Sequence, residues 1–237
     1  MGNRKSVIVT MGVSVALVLG LVFIVENKNG PTSEVLIDDT HKSMDAIDGP
    51  LSIEEQLVSN PEISNTMNPT AIITTNQGVV ELELFEDQMP ITVANFVKLT
   101  ESNFYDGIKF HRVIEGFMIQ GGDPNSRGEN EAIYGQGGPD ENVQDEFVAG
   151  DVLTNTRGTI AMANTGQPNS GGSQWFINLV DNTNLDFDKQ PLSSKHPVFG
   201  RVTTGLDVVD TIGKVATKGG NIPVEPVVIE TIAIVRQ

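Results

Sequence analysis

Between Arg112 and Gln120 the chain carries a guanidinium, a side-chain amide and two soft apolar groups, Phe117 and Met118. The surrounding run, Phe110 to Pro124, reads Phe-His-Arg-Val-Ile-Glu-Gly-Phe-Met-Ile-Gln-Gly-Gly-Asp-Pro. A cation set among apolar contacts suits an apolar ligand with one carbonyl to be held. Read as a strand of period two, Arg112, Ile114, Gly116, Met118 and Gln120 face one way, and Val113, Glu115, Phe117 and Ile119 the other. Phe117 is then parted from Arg112 unless Gly116 marks a bulge or bend. The plain alternative is a solvated edge-strand cation, a Phe117–Met118 pair in the core and a turn at Gly121–Gly122.

Three further blocks follow in order: Met162-Ala163-Asn164, Gly172-Ser173-Gln174-Trp175-Phe176-Ile177 and His196-Pro197-Val198-Phe199-Gly200. With the first run they resemble the signature of cyclophilin-type peptidyl-prolyl isomerases, over roughly Thr70 to Val235. The resemblance implies a pocket for a proline ring made by Phe117, Met118 and Phe176, with Leu185 on its wall. It implies that Gln120, Asn164 and Gln174 bond the substrate backbone, that Ala163 lets the chain approach, and that His196 sits at the rim. Arg112 is then the catalytic cation.

The chemistry that such a site must perform is modest. Rotation about an amide meets a barrier near ~20 kcal/mol because the C–N bond is partly double. At a prolyl bond cis and trans differ by only about 0.5–1 kcal/mol, so the barrier limits the process. No nucleophile, metal or cofactor is required. The catalyst must favour the twisted state, in which the prolyl nitrogen becomes a better hydrogen-bond acceptor, and a cation donating near it does so. A proline-binding module without turnover is the main rival, and intact Arg112 speaks against it. An acidic surface-structural domain is a third reading, with no residue pattern in its favour.

Departures from the family pattern are local. Many cyclophilins carry an aromatic residue just before the Leu-Asp pair that matches Leu185-Asp186, where this chain has Asn184. Weaker binding of the macrocyclic inhibitor cyclosporin is expected. Trp175 stands where Phe is common and is expected to face the core, away from Phe176. The chain between Asp186 and His196 lengthens the rim loop.

The elements that must position these residues are mostly strands. Ala71–Thr75 and Val79–Phe85 flank Asn76-Gln77-Gly78, a hairpin signal. Pro90–Ser102 reads as a helix, with Pro at its start and Val93, Phe96, Val97 and Thr100 at helical spacing. Strands are expected at Gly158–Asn164, Ser173–Leu179, Val198–Val202 and Val227–Val235, with a short helix at Leu206–Ile212. The Gly- and acid-rich stretch Asp123–Asp151 lacks calcium-loop spacing and reads as a solvated loop. The pattern is mainly β, and the resemblance implies a closed eight-stranded antiparallel barrel capped by two helices.

Ahead of this domain, Val7–Val25 is an uncharged apolar run of 19 residues. As a helix it would be ~28 Å long, close to a hydrocarbon core of roughly 30 Å. Arg4 and Lys5 precede it and acidic residues follow, so the expected protein is single-pass, with residues 1–6 cytoplasmic and the domain outside. Cleavage as a signal peptide is the alternative, but no small-residue cut site ends the run. Glu26–Asn68 holds nine acidic and two basic residues and reads as an extended, largely disordered tether, with a short helix possible at Ser52–Val58. The formal net charge of −16 makes nucleic acid a poor partner, and the absence of cysteine excludes disulfides and thiolate chemistry. The expected partners are proline-containing polypeptides, with folding of exported proteins as the role; a monomer is expected.

Overall fold

The structure, a computed structural model, describes residues 68–148, 153–192 and 195–236. The expected membrane span at Val7–Val25, the expected tether up to residue 67 and the helix expected at Ser52–Val58 lie outside the described residues. Among the described residues no helix is long and apolar enough to cross a membrane. The described residues group as one compact unit.

The unit is mainly β. Strands β1 (Thr70–Thr75) and β2 (Gly78–Leu84) form the expected hairpin, with Thr75 opposite Gly78. In β2, Val80, Leu82 and Leu84 are buried and the residues between them are not, as alternation requires. Helix α1 (Pro90–Glu101) follows, with proline in its first turn and Val93, Phe96, Val97 and Thr100 buried. No side chain at its own N-cap bonds the first turn. The carboxylate of Glu146, more than fifty residues away, accepts from the backbone N–H of Ile91 at 3.2 Å and of Thr92 at 2.9 Å instead.

Strands β3 (Arg112–Ile114), β4 (Met118–Gly121), β5 (Thr159–Met162), β6 (Trp175–Asn178) and β7 (Val198–Thr204) come next. Helix α2 (Leu206–Gly213), the short pair β8 (Thr217–Lys218) and β9 (Ile222–Pro223), and β10 (Ile229–Val235) complete the order. Eight strands form one antiparallel sheet in the order β10-β1-β2-β7-β5-β6-β4-β3. The result is a curled antiparallel sheet with two helices. Backbone hydrogen bonds also join Gly107, Ile108 and Phe110 to Val227 and Ile229, near the two ends of that order.

Trp175 marks the centre of the core. It is fully buried, packing edge-on to Phe96, Tyr105 and Phe110, with ring centroids 5.7 to 6.4 Å apart. Its strand neighbour Phe176 points to the other face, so the two aromatic residues serve different surfaces.

Two expectations are corrected. The run from Phe110 to Gln120 is a hairpin rather than one strand. Ile114 to Phe117 form a turn closed by Phe117 N–H to Ile114 C=O at 3.0 Å, with Gly116 at φ +68°. A positive φ at the third turn position favours glycine, which explains the residue there. The stretch after Asp123 is more than a solvated loop. Asp123 is fully buried and accepts from Asn125 N–H at 2.8 Å and from Gly135 N–H, which pins the loop against the sheet.

Candidate active site

The β3–β4 hairpin reconciles the residues that simple alternation had parted. Arg112 lies opposite Gln120, Val113 opposite Ile119 and Ile114 opposite Met118. Directly opposite residues share a face, so the guanidinium, the amide and the thioether gather on one side. Phe117 belongs to the turn and escapes the alternation. Strand β6 extends the surface by pairing Gln120 with Phe176.

Arg112, Phe117, Met118, Gln120, Ala163, Asn164, Phe176, Leu185 and His196 surround one cavity of about 250 Å³. Gln174 lies in the adjoining cleft of about 530 Å³, which shares Gln120, Ala163 and Asn164 with the first cavity. Every residue assigned to the site from sequence therefore lines one of two contiguous hollows. The apolar floor is buried: Met118 is 2%, Phe176 5% and Leu185 9% exposed. Arg112 stands half-buried at the edge.

A polar chain crosses from the cation to the loop. Arg112 Nη1 donates to Gln120 Oε1 at 3.3 Å, and Gln120 Nε2 donates to Gln174 Oε1 at 3.0 Å. Gln174 Nε2 then donates to the carbonyls of Gly135 and Gly137, at 3.0 and 2.7 Å. Among the described residues no carboxylate pairs with Arg112. Its charge is held by one long hydrogen bond, which leaves further N–H donors for a ligand.

Asn164 lines both hollows and also braces the rim. Its Nδ2 donates to Lys195 C=O at 2.5 Å and its Oδ1 accepts from Gly166 N–H at 3.0 Å, so the side chain ties the rim together. His196 packs edge-on to Phe176, with centroids 5.4 Å apart, and its Nδ1 lies 3.0 Å from Met162 C=O. Burial holds the His196 pKa below the ordinary value, with the Met162 carbonyl opposing the shift. Just ahead of β3, His111 is 3% exposed, and burial brings its pKa down to about 4, reinforced by Arg112 and opposed by Asp123. Both imidazoles are neutral near pH 7.

Residues that the sequence did not single out complete the adjoining cleft: Gln136, Pro139, Asn142, Thr165 and Ser170 among them. They sit in the glycine-rich loop and the polar turn, where no periodicity separates lining residues from solvated ones. Asn184, beside Leu185, is exposed.

A curled antiparallel sheet with two helices, carrying a cation-edged apolar pocket on its β3–β4–β6 face, defines a cyclophilin-fold protein. Residues 70–234 match the family model for the cyclophilin type peptidyl-prolyl cis-trans isomerase/CLD. The chain is 37% identical to peptidyl-prolyl cis-trans isomerase A of Dickeya dadantii, over 75% of this chain and 90% of that protein. It is 41% identical to peptidyl-prolyl cis-trans isomerase B of Escherichia coli, over 68% of this chain and 96% of that one. A longer relative from Streptococcus pyogenes is 39% identical over 198 residues, and the chain spans 40% of its length. Among solved structures, a cyclophilin type isomerase of Cryptosporidium parvum aligns with a TM-score of 0.60 and 29% identity, over 70% of this chain and 97% of that one. The chain belongs to the cyclophilin family of peptidyl-prolyl cis-trans isomerases.

Proposed function

We propose that the cavity below Arg112 accelerates cis–trans rotation of prolyl bonds by non-covalent means. The proline ring sits on Phe117, Met118, Phe176 and Leu185, and the guanidinium donates to the prolyl nitrogen as the bond twists. Gln120 and Gln174 hold the backbone of the same peptide, and Ala163 leaves room for it. The interaction exists only when conjugation is lost, so it lowers the barrier without tightening the ground state. The observation that carries this reading is the convergence of Arg112 with eight other expected residues on one cavity. In support, the Cryptosporidium parvum isomerase has also been solved in the presence of the dipeptide Ala-Pro, and that structure aligns with a TM-score of 0.59.

The same proposal takes the eight-stranded sheet as a closed barrel, joined where residues 107–110 bond residues 227–229. It places the domain outside the membrane on the helix Val7–Val25 and the acidic tether, acting as a monomer on exported or membrane-proximal polypeptides. The uncharged run, the preceding Arg4 and Lys5, and the acidic stretch beyond support that arrangement. Carbonate extraction of membranes from cells making the full-length protein tests it: the protein stays with the pellet, and release into the supernatant contradicts the anchor. Isomerisation of a prolyl peptide by the full-length protein tests the activity, with a rate above background expected and a background rate contradicting it.

A further inference from the structure

Behind the apolar wall of the cavity runs a line of buried amides that the isomerase chemistry does not use. Asn155 and Asn178 are 0%, Asn182 6% and Asp186 5% exposed. Each amide accepts through Oδ1 from the one before it or donates through Nδ2 to the one after, in a single direction. Asn182 Nδ2 donates to Asn178 Oδ1 at 2.8 Å, Asn178 Nδ2 to Asn155 Oδ1 at 3.0 Å, and Asn155 Nδ2 to Asp186 Oδ1 at 2.7 Å. The line ends on a carboxylate, which also accepts from Asn155 N–H at 2.8 Å and from the Thr154 hydroxyl.

The second hydrogen on each outer amide reaches a pocket residue. Asn182 Nδ2 donates to Phe117 C=O at 2.9 Å, and Asn155 Nδ2 to His196 C=O at 3.0 Å. Leu185 is bound into the same frame, donating from N–H to Asn182 C=O at 2.8 Å and accepting from His196 N–H at 3.0 Å. The Phe117 wall of the pocket and its Leu185–His196 wall, far apart in sequence, are thus linked by one hydrogen-bonded network. Buried amides in a chain polarise one another, and an interrupted chain leaves costly unpaired groups.

We propose that this relay is a positioning device for the isomerase pocket, setting the gap between the Phe117 side and the Leu185–His196 side. The proposal rests on the isomerase reading above. Asn155 and Asn182 touch no substrate; they act through the backbone of residues that do. Since the reaction depends on complementarity to a twisted state, a displacement near 1 Å can cost about 100-fold in rate.

The test compares full-length wild type with Asn155→Ala and Asn182→Asp, the second keeping the side-chain volume while losing both donors. Rates are measured on one prolyl peptide at a temperature where the near-UV circular dichroism of Trp175 matches wild type. A fall in kcat/KM of at least about ten-fold, carried mainly by kcat, is expected for both. Should Asn155→Ala not fold, Asn182→Asp decides alone. If the folded variants melt at lower temperature yet keep kcat and KM within about two-fold of wild type, the relay only supports the fold and the proposal fails. An inactive wild type rejects the isomerase reading, and the relay's role with it; the wild-type rate tells the two failures apart.

Discussion

Arg112 and Gln120 face each other across the β3–β4 hairpin, with Nη1 of the arginine 3.3 Å from Oε1 of the glutamine. The contact steers the guanidinium without neutralising it, because an amide oxygen carries no charge and no described carboxylate pairs with the cation. Arg112→Lys should therefore recover little of the activity lost in Arg112→Ala, since a point ammonium lacks the planar fork. Gln120→Ala should lower kcat/KM by about ten-fold, less than loss of the cation itself. Peptide isomerisation kinetics on the three variants check the order.

Stability should fall in mild acid. His111 has its pKa lowered to about 4, from an unfolded value near 6.5, and His196 is shifted in the same direction. Between those values the unfolded chain binds the proton and the folded one does not, so folding is favoured less as pH drops. The contribution is complete above pH ~6.5 and is lost progressively toward pH ~4, with His111 accounting for about 3 kcal/mol. Urea melts at stepped pH should show this slope, and His111→Gln should reduce it.

Two glycines of positive φ should respond differently to alanine. Gly116, at φ +68°, has open space where a Cβ would go, so Gly116→Ala should cost only the backbone penalty of about 1–2 kcal/mol. At Gly122, φ +85°, a Cβ would lie 2.2 Å from the Ser173 carbonyl oxygen. Backbone must move there, beside Gln174, which lines the adjoining cleft. Gly122→Ala should destabilise by more than about 3 kcal/mol, beyond the usual range for one substitution, and thermal melts of both variants compare them.

Much of the cavity is legible in the residues themselves. Phe117, Met118 and Phe176 are apolar groups in ordered blocks, and Arg112 is the only lysine or arginine between Phe110 and Pro124. What strict alternation could not supply was the turn at Glu115–Gly116, where one positive φ folds a presumed strand back on itself and brings Arg112 over Gln120. The relay was equally hidden. Asn155 and Asn182 sit in polar stretches and read as turn residues, and Asn178 lies in the expected strand Ser173–Leu179, where the sequence does not reveal its partners from other segments. The Glu146 cap on α1 is non-local for the same reason.

The helix cap offers a separate check. Glu146 takes two first-turn N–H groups of α1, where a carboxylate also meets the positive end of the helix dipole. Glu146→Ala should cost about 1 kcal/mol, the usual cost of losing a cap. Chemical denaturation should report it, with kcat/KM little changed because the residue lies outside the cavity.

The central claim stands on Arg112. Isomerisation of a prolyl peptide by the full-length protein and by Arg112→Ala, with peptide affinity measured on both by NMR titration, addresses it directly. The expected result is a wild-type rate well above background, a loss of about 100- to 1000-fold in kcat/KM in the variant, and affinity changed far less than rate. A variant that turns over as fast as wild type while binding the peptide equally well would contradict the role given to the guanidinium.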